Sequence, residues 1–314
     1  MLATELRRDS INHIAANIGR EPGEFGYFLS LDNVAVKAFS KPYDAWWCCV
    51  GTGLENPARY AEQVYYSERE TLWVNLYLGA EYRDEERGLV VRQLTAFPDG
   101  DRATLEFECA SPRRLKICLR HPVWCEGYRV SRNGSEVAGD SVPSSYFEID
   151  RVWKTGDRIE VSLPMALRLD PLPSSEGRLV SLAYGPIVLA GVIPVDVSRP
   201  DPAKERFSDH LRARGKGNEF PHVLIKPADG SLLEGFAQSG VGFAHFRTRG
   251  VVAPGDIDFV PLHRVYEEHY VVYFPLLSSV RMERTRRGDA TRGGGSKANR
   301  GGYLGSSHAR SVTA

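Results

Sequence analysis

Two adjacent thiols, Cys48 and Cys49, are the residues of this chain best suited to do chemistry. A pair of thiolates can share one zinc ion, each bond being ~2.3 Å long. Side by side in an extended strand they would point to opposite faces, so joint ligation requires a tight turn. The Gly51-Thr52-Gly53 run that follows supplies the backbone freedom for one. A helix starting just beyond would add the field of its N-terminus, which favours thiolate over thiol. The pattern equally accommodates two packed core cysteines flanked by Trp46 and Trp47.

Other side chains could serve such a centre. Glu55 and Glu62 lie close in sequence, and two carboxylates flanking a glycosidic bond are the usual hydrolase arrangement. Surface carboxylates would look the same. Tyr43, Trp46 and Trp47 could offer rings to a sugar face or could be core. His13 sits beside the apolar stripe of a predicted helix, where packing and a place in a cleft are both open. His263 and His269 lack any close metal-binding spacing and read as ordinary. Cys109, Cys118 and Cys125 read as strand or core residues. With five cysteines in all, the thiols cannot all pair within the chain.

Few elements are needed to position these groups. Ile11, Ile14, Ala15 and Ile18 predict a helix over 5–18, ended by Gly19. Phe25–Leu31 and Val34–Phe39 around Asp32-Asn33 predict a hairpin. Asn56 as N-cap and Pro57 at the first helical position predict a second helix, burying Ala58, Ala61, Val64 and Tyr65. From about residue 71 the period becomes 2. Leu72, Val74, Leu76 and Leu78 alternate with Trp73, Asn75 and Tyr77; Leu105, Phe107 and Cys109 alternate with Glu106 and Glu108; Ile159, Val161 and Leu163 follow the same rule. Asp99-Gly100, Asn133-Gly134 and Thr155-Gly156-Asp157 mark turns, so an antiparallel sandwich is expected. A second β-rich segment starts near Leu167, with a long polar loop at 198–222. Residues 285–314 are too rich in Gly, Ser and Arg to order themselves.

The segment Trp46-Trp47-Cys48-Cys49-Val50-Gly51-Thr52-Gly53-Leu54-Glu55-Asn56 resembles the double-cysteine motif of the β-L-arabinofuranosidases, glycoside hydrolase family 127 and its relative family 146. Asn12-His13-Ile14, Thr71-Leu-Trp-Val-Asn-Leu-Tyr, Val152 to Asp157, Tyr184-Gly185-Pro186 and Tyr270-Val-Val-Tyr-Phe resemble further parts of that family. The resemblance implies a mainly β chain: two antiparallel β-sandwich domains preceded by the C-terminal remnant of an (α/α)6 barrel. On it, residues 1–70 are the barrel remnant, 71–166 the middle sandwich, 167–284 the C-terminal sandwich and 285–314 the tail. It implies retaining hydrolysis of non-reducing terminal β-L-arabinofuranosyl residues, with zinc as cofactor. Cys48 would be the nucleophile, Cys48 and Cys49 metal ligands, and Trp47 and Glu55 substrate contacts. The family's Glu-x-Cys ligands and its acid/base glutamate lie upstream of the pair, and no cysteine precedes Cys48 here. The expectation is therefore an incomplete site, inactive by itself. A carbohydrate-binding sandwich module and a structural zinc or interaction protein are the alternatives.

Composition narrows the partners. Lys+Arg and Asp+Glu are both 40, which offers no basic face for nucleic acid. No run approaches the ~20 apolar residues of a membrane span. The expected partner is a carbohydrate, with a homodimer left open. Met1-Leu-Ala-Thr-Glu-Leu-Arg-Arg lacks the apolar stretch of a secretory leader, so the chain reads as cytoplasmic as written. The compartment stays open, because the true start is expected upstream.

Overall fold

The computed structural model describes residues 10–27, 29–30, 36–41, 48–194, 222–227 and 230–278. The sequence expectations for Tyr43, Trp46, Trp47, the 198–222 loop up to residue 221 and the 285–314 tail lie outside these residues.

Alternation builds the middle of the chain. One four-stranded sheet runs in the order Tyr65–Glu68, Thr71–Val74, Arg113–Arg120, Tyr146–Trp153. A six-stranded sheet runs Ala80–Asp84, Leu89–Thr95, Arg102–Cys109, Arg158–Ser162, Arg129–Arg132, Ser135–Glu136. Inward residues of both sheets, among them Leu72, Val74, Leu105, Phe107, Ile117, Trp153 and Ile159, form a single buried core. Trp153 is fully buried, stacks on Phe107 and donates its Nε1 proton to the Leu115 carbonyl at 2.8 Å. The Asn133-Gly134 turn has both residues at positive φ, as its two-residue hairpin requires.

Two expectations need correction here. The alternation stops at Val74, since Asn75, Leu76 and Tyr77 are all buried. Tyr77 turns inward because its hydroxyl finds the Arg120 carbonyl at 2.6 Å. The sandwich is also not purely antiparallel: Thr71–Val74 pairs in parallel with Arg113–Arg120. The chain between them crosses to the second sheet and back, the long connection a parallel pair needs.

A second mainly β unit follows. Ten strands from Leu167–Pro171 to Phe274–Ser278 form one hydrogen-bonded set around a core that includes Leu182, Leu189, Leu224, Phe246, Phe259 and Phe274. It too contains one parallel pair, Val223–Lys226 with Phe274–Ser278.

Before both units comes a segment with little regular structure. The helix expected over 5–18 is, in its described part, a π-turn at Ser10–Ile14 and a 3-10 turn at Ala15–Asn17. Tertiary contact overrides helical propensity there. Buried Asn12 donates to the Pro186 carbonyl at 2.9 Å and accepts from the Val188 amide at 2.8 Å, completing the hydrogen bonding of a neighbouring strand. Of the expected hairpin the described residues hold one bridge, from Gly26 to Phe39, while its turn lies outside them; Phe25 bridges back to Ile18 instead.

Candidate active site

Both cysteines lie in the first turn of α1, Cys48–Ala58. This corrects the predicted tight turn and the predicted helix start at Asn56. The described part of the helix already starts eight residues earlier, and Asn56 stands near its end, where its side chain donates to the Thr52 carbonyl at 2.9 Å. Pro57 is tolerated because the helix ends one residue later, limiting the lost backbone bond to the final turn. Ala58 and Ala61, expected to be buried, are exposed, whereas Val64 is buried as expected.

Only Val50 anchors α1 as a buried side chain. A second contact comes from Gly53, where an added Cβ would lie 2.3 Å from the Phe25 ring. A side chain at 53 would therefore push Phe25 away. The glycine thus lets the 25–27 segment close on the helix. That closure brings Tyr27 to the sulfurs, where its phenol is hydrogen-bonded to Cys48. Negative charge on Cys48, partial burial and charge on Cys49 all raise the Tyr27 pKa, so it stays a neutral donor to sulfur. No local pattern marks Tyr27, since it stands 21 positions before Cys48 and meets it only through the fold.

The two sulfurs are 3.7 Å apart, Cys48 exposed and Cys49 half-buried. Tetrahedral zinc with ~2.3 Å bonds holds two thiolates about 3.8 Å apart, so the pair fits two corners of such a site. Among the described residues no group of three or more His, Cys, Asp or Glu side chains could hold a metal. The pair alone therefore supplies half of a tetrahedral donor set. Without a cation, burial and then the neighbouring Cys48 push the Cys49 thiol up, which disfavours a double thiolate.

The structure separates the other candidates. Glu55 stands seven residues from Cys48 on the same helical stripe, about 10 Å along the axis. It is exposed and pairs with Arg59 at 3.5 Å, and Arg59 also pairs with Glu62 at 3.3 Å. His13 is exposed, and its carbonyl accepts from Asn17. Cys118 and Cys125 are buried thiols pushed up to about 11, mainly by desolvation, which leaves them inert. A groove of about 790 Å³ on the middle sandwich is lined by Arg92, Glu108, Cys109 and Arg158. Its Arg92 is paired with Glu81 at 2.8 Å and Glu108 at 2.9 Å, so this is a solvated charged sheet face, and the paired thiols on α1 remain the better candidate.

Comparison with known proteins places the chain. The family described as β-L-arabinofuranosidase, GH127 catalytic domain, matches residues 1–62, the stretch that carries α1. The GH127 middle domain matches residues 71–165. Among solved structures, a glycoside hydrolase aligns with a TM-score of 0.63 at 18% identity, over 88% of this chain and 48% of its own. A GH127 β-arabinofuranosidase aligns with a TM-score of 0.63 at 20% identity, over 87% and 45%. A GH127 β-L-arabinofuranosidase from Geobacillus stearothermophilus T6 aligns with a TM-score of 0.62 at 18% identity, over 87% and 46%. The chain thus spans about half the length of these structures, and the likeness carries the fold. No curated protein matches the sequence.

Proposed function

Because this chain belongs to the β-L-arabinofuranosidase family, glycoside hydrolase family 127, we propose that α1 is the nucleophile-bearing wall of a retaining glycosidase site. The substrate would be a non-reducing terminal β-L-arabinofuranosyl residue. The observation that carries the reading is the geometry of one helical turn: two sulfurs 3.7 Å apart, with the Tyr27 phenol on the more exposed one.

Cys48 is the sulfur free to meet a sugar. Its lone pair attacks the anomeric carbon while the bond to the leaving oxygen breaks and that oxygen takes a proton from a general acid. Water then displaces the sulfur as thiolate while giving a proton back to the conjugate base of that acid, and two inversions leave the configuration retained. The Tyr27 phenol keeps its proton and would hold the sulfur in place by a hydrogen bond as it enters and leaves the two steps. Cys49, half-buried, is suited to ligation rather than attack. Zinc held by Cys48 and Cys49 would supply the positive charge that keeps both thiols deprotonated near neutral pH. The other ligands and the general acid would come from beyond the described residues. Trp47, next to Cys48, is proposed to offer its ring to the sugar, and Glu55 to lie further along the same wall.

The carbohydrate-binding alternative lacks its expected signature. Among the described residues Tyr66 is the one large aromatic that is exposed, and its hydroxyl is bonded to Gln63. No row of exposed rings crosses a sheet among the described residues. None of the described helices is long and apolar enough to cross a membrane.

An affinity label tests the proposal without requiring turnover. A haloacetamide carried on β-L-arabinofuranose should alkylate Cys48 faster than iodoacetamide does, saturably, and L-arabinose should protect. Equal rates for both reagents, or label spread evenly over Cys48, Cys49 and Cys109, would overturn the reading.

A further inference from the structure

Lys37 is a lysine with 2% of its surface exposed. Its Nζ donates to the Ala16 carbonyl at 2.8 Å and to the Leu262 carbonyl at 2.6 Å. The first carbonyl belongs to the N-terminal segment, the second to a 3-10 turn of the second β unit, Leu262–Arg264. Ala16 and Leu262 share an apolar cluster with Ala190, Val265, Tyr270 and Val272. A buried ammonium is costly unless its protons are used, and here two of three are spent joining separate parts of the chain.

The charged groups around it are few. Glu268 attracts the Lys37 ammonium, while burial pushes it down to about 7. Glu268 accepts from the Tyr266 and Glu267 amides, and Arg20 also attracts it, stacked over the Tyr266 ring. On the other side lie His263, Arg264 and, paired with Arg264, Asp99.

Lys37 is two residues from Phe39, which bridges Gly26. The Ser40 amide donates to the Phe25 carbonyl at 2.8 Å, and the Phe25 amide to Ser40 Oγ at 3.0 Å. Gly26 in turn donates to the Asn17 carbonyl at 2.6 Å. Phe25 and Tyr27 are the residues that touch α1 at Gly53 and Cys48. A continuous path of hydrogen bonds and packing therefore runs from Leu262 through Lys37 to the attacking sulfur.

We propose that Lys37 is a positioning residue: by pinning the 36–41 segment between Ala16 and Leu262, it makes the seating of Tyr27 on Cys48 depend on the second β unit. This rests on the reading of Cys48 as the attacking sulfur, but its test does not use turnover.

The metal-free full chain is alkylated with iodoacetamide and each cysteine followed by peptide mass spectrometry. Lys37→Met should slow Cys48 about three- to tenfold, the worth of one net hydrogen bond to the sulfur, and Tyr27→Phe should do the same. The double variant should be no slower than Tyr27→Phe alone, because both remove one interaction. Lys37→Arg, which keeps charge and donors, should restore most of the rate. An unchanged Cys48 rate in Lys37→Met, or multiplying effects in the double variant, would overturn the proposal. So would labelling of buried Cys118 and Cys125 in Lys37→Met, which would mark Lys37 as a general support of the fold. The label on Cys48 reports this coupling whether or not an arabinofuranose reagent reaches the same sulfur.

Discussion

The middle sandwich and the cysteine helix obtain their positions in opposite ways. The sandwich buries twenty residues in a core shared by its two sheets. Helix α1 buries one side chain, Val50, and otherwise rests on what touches it: the Phe25 ring against Gly53 and the Tyr27 phenol on Cys48. Strand pairing and burial fix the first region from within. The second is fixed from outside, by a segment that itself depends on Asn12 and Lys37 for its hold on the second β unit. An exposed element can still be aimed when the elements that hold it are buried.

The sharpest way to break this contrast is Trp153→Ala. It should cost about 3–5 kcal/mol of global stability, read as a lower urea midpoint. The Cys48 alkylation rate below the transition should not change. A change there before unfolding would mean that the sandwich aims the cysteines directly.

Asn12→Ala comes next, at about 1–3 kcal/mol, because it strips buried groups of their partners. Its effect should be local. Hydrogen exchange at the Val188 amide should quicken while amides of the middle sandwich keep their protection. Uniform loss of protection would contradict a separately docked segment.

The pH dependence sharpens the same point. Burial, first of all, lowers His263 from 6.5 to about 4 and Lys37 from 10.5 to about 7. Within each window the unfolded chain holds the proton and the folded chain does not, so stability rises with pH from about 4 to 6.5 and again from about 7 upward. Cys118 and Cys125 are raised from 9.0 to about 11, so stability falls above about pH 9. Urea midpoints should therefore peak near pH 9. A maximum near neutrality would show that Lys37 keeps its proton in the fold.

Gly53→Ala is the smallest expected effect on stability. The gain in helix propensity is at most ~1 kcal/mol, and the clash with Phe25 offsets it. Stability should stay within about that range while Cys48 labelling slows as in Tyr27→Phe. Unaltered labelling would show that Phe25 can move without freeing Tyr27.

Legibility in the sequence followed the same division. Leu105-Phe107 and Ile159-Val161-Leu163 disclosed their strands because a period of 2 is a local property and burial obeys it. The double-cysteine motif was equally plain. The start of α1 was not, because Pro57 has the same appearance at the beginning of a helix and near its end. The 5–18 stripe read as a helix although Asn12 is recruited by a strand 176 positions away. Tyr27 and Lys37 were invisible for the same reason: each is an ordinary residue whose role comes from partners distant in the chain.

The sulfurs of Cys48 and Cys49 are proposed to share one metal ion. Cobalt(II) titration of the reduced chain tests it directly, since thiolate bonds to cobalt give a charge-transfer absorption that counts them. Two thiolates per cobalt are expected, bound weakly because the described residues supply only half a donor set, and lost in both Cys48→Ala and Cys49→Ala. A chain that shows no such band, or one that survives either substitution, would contradict the account.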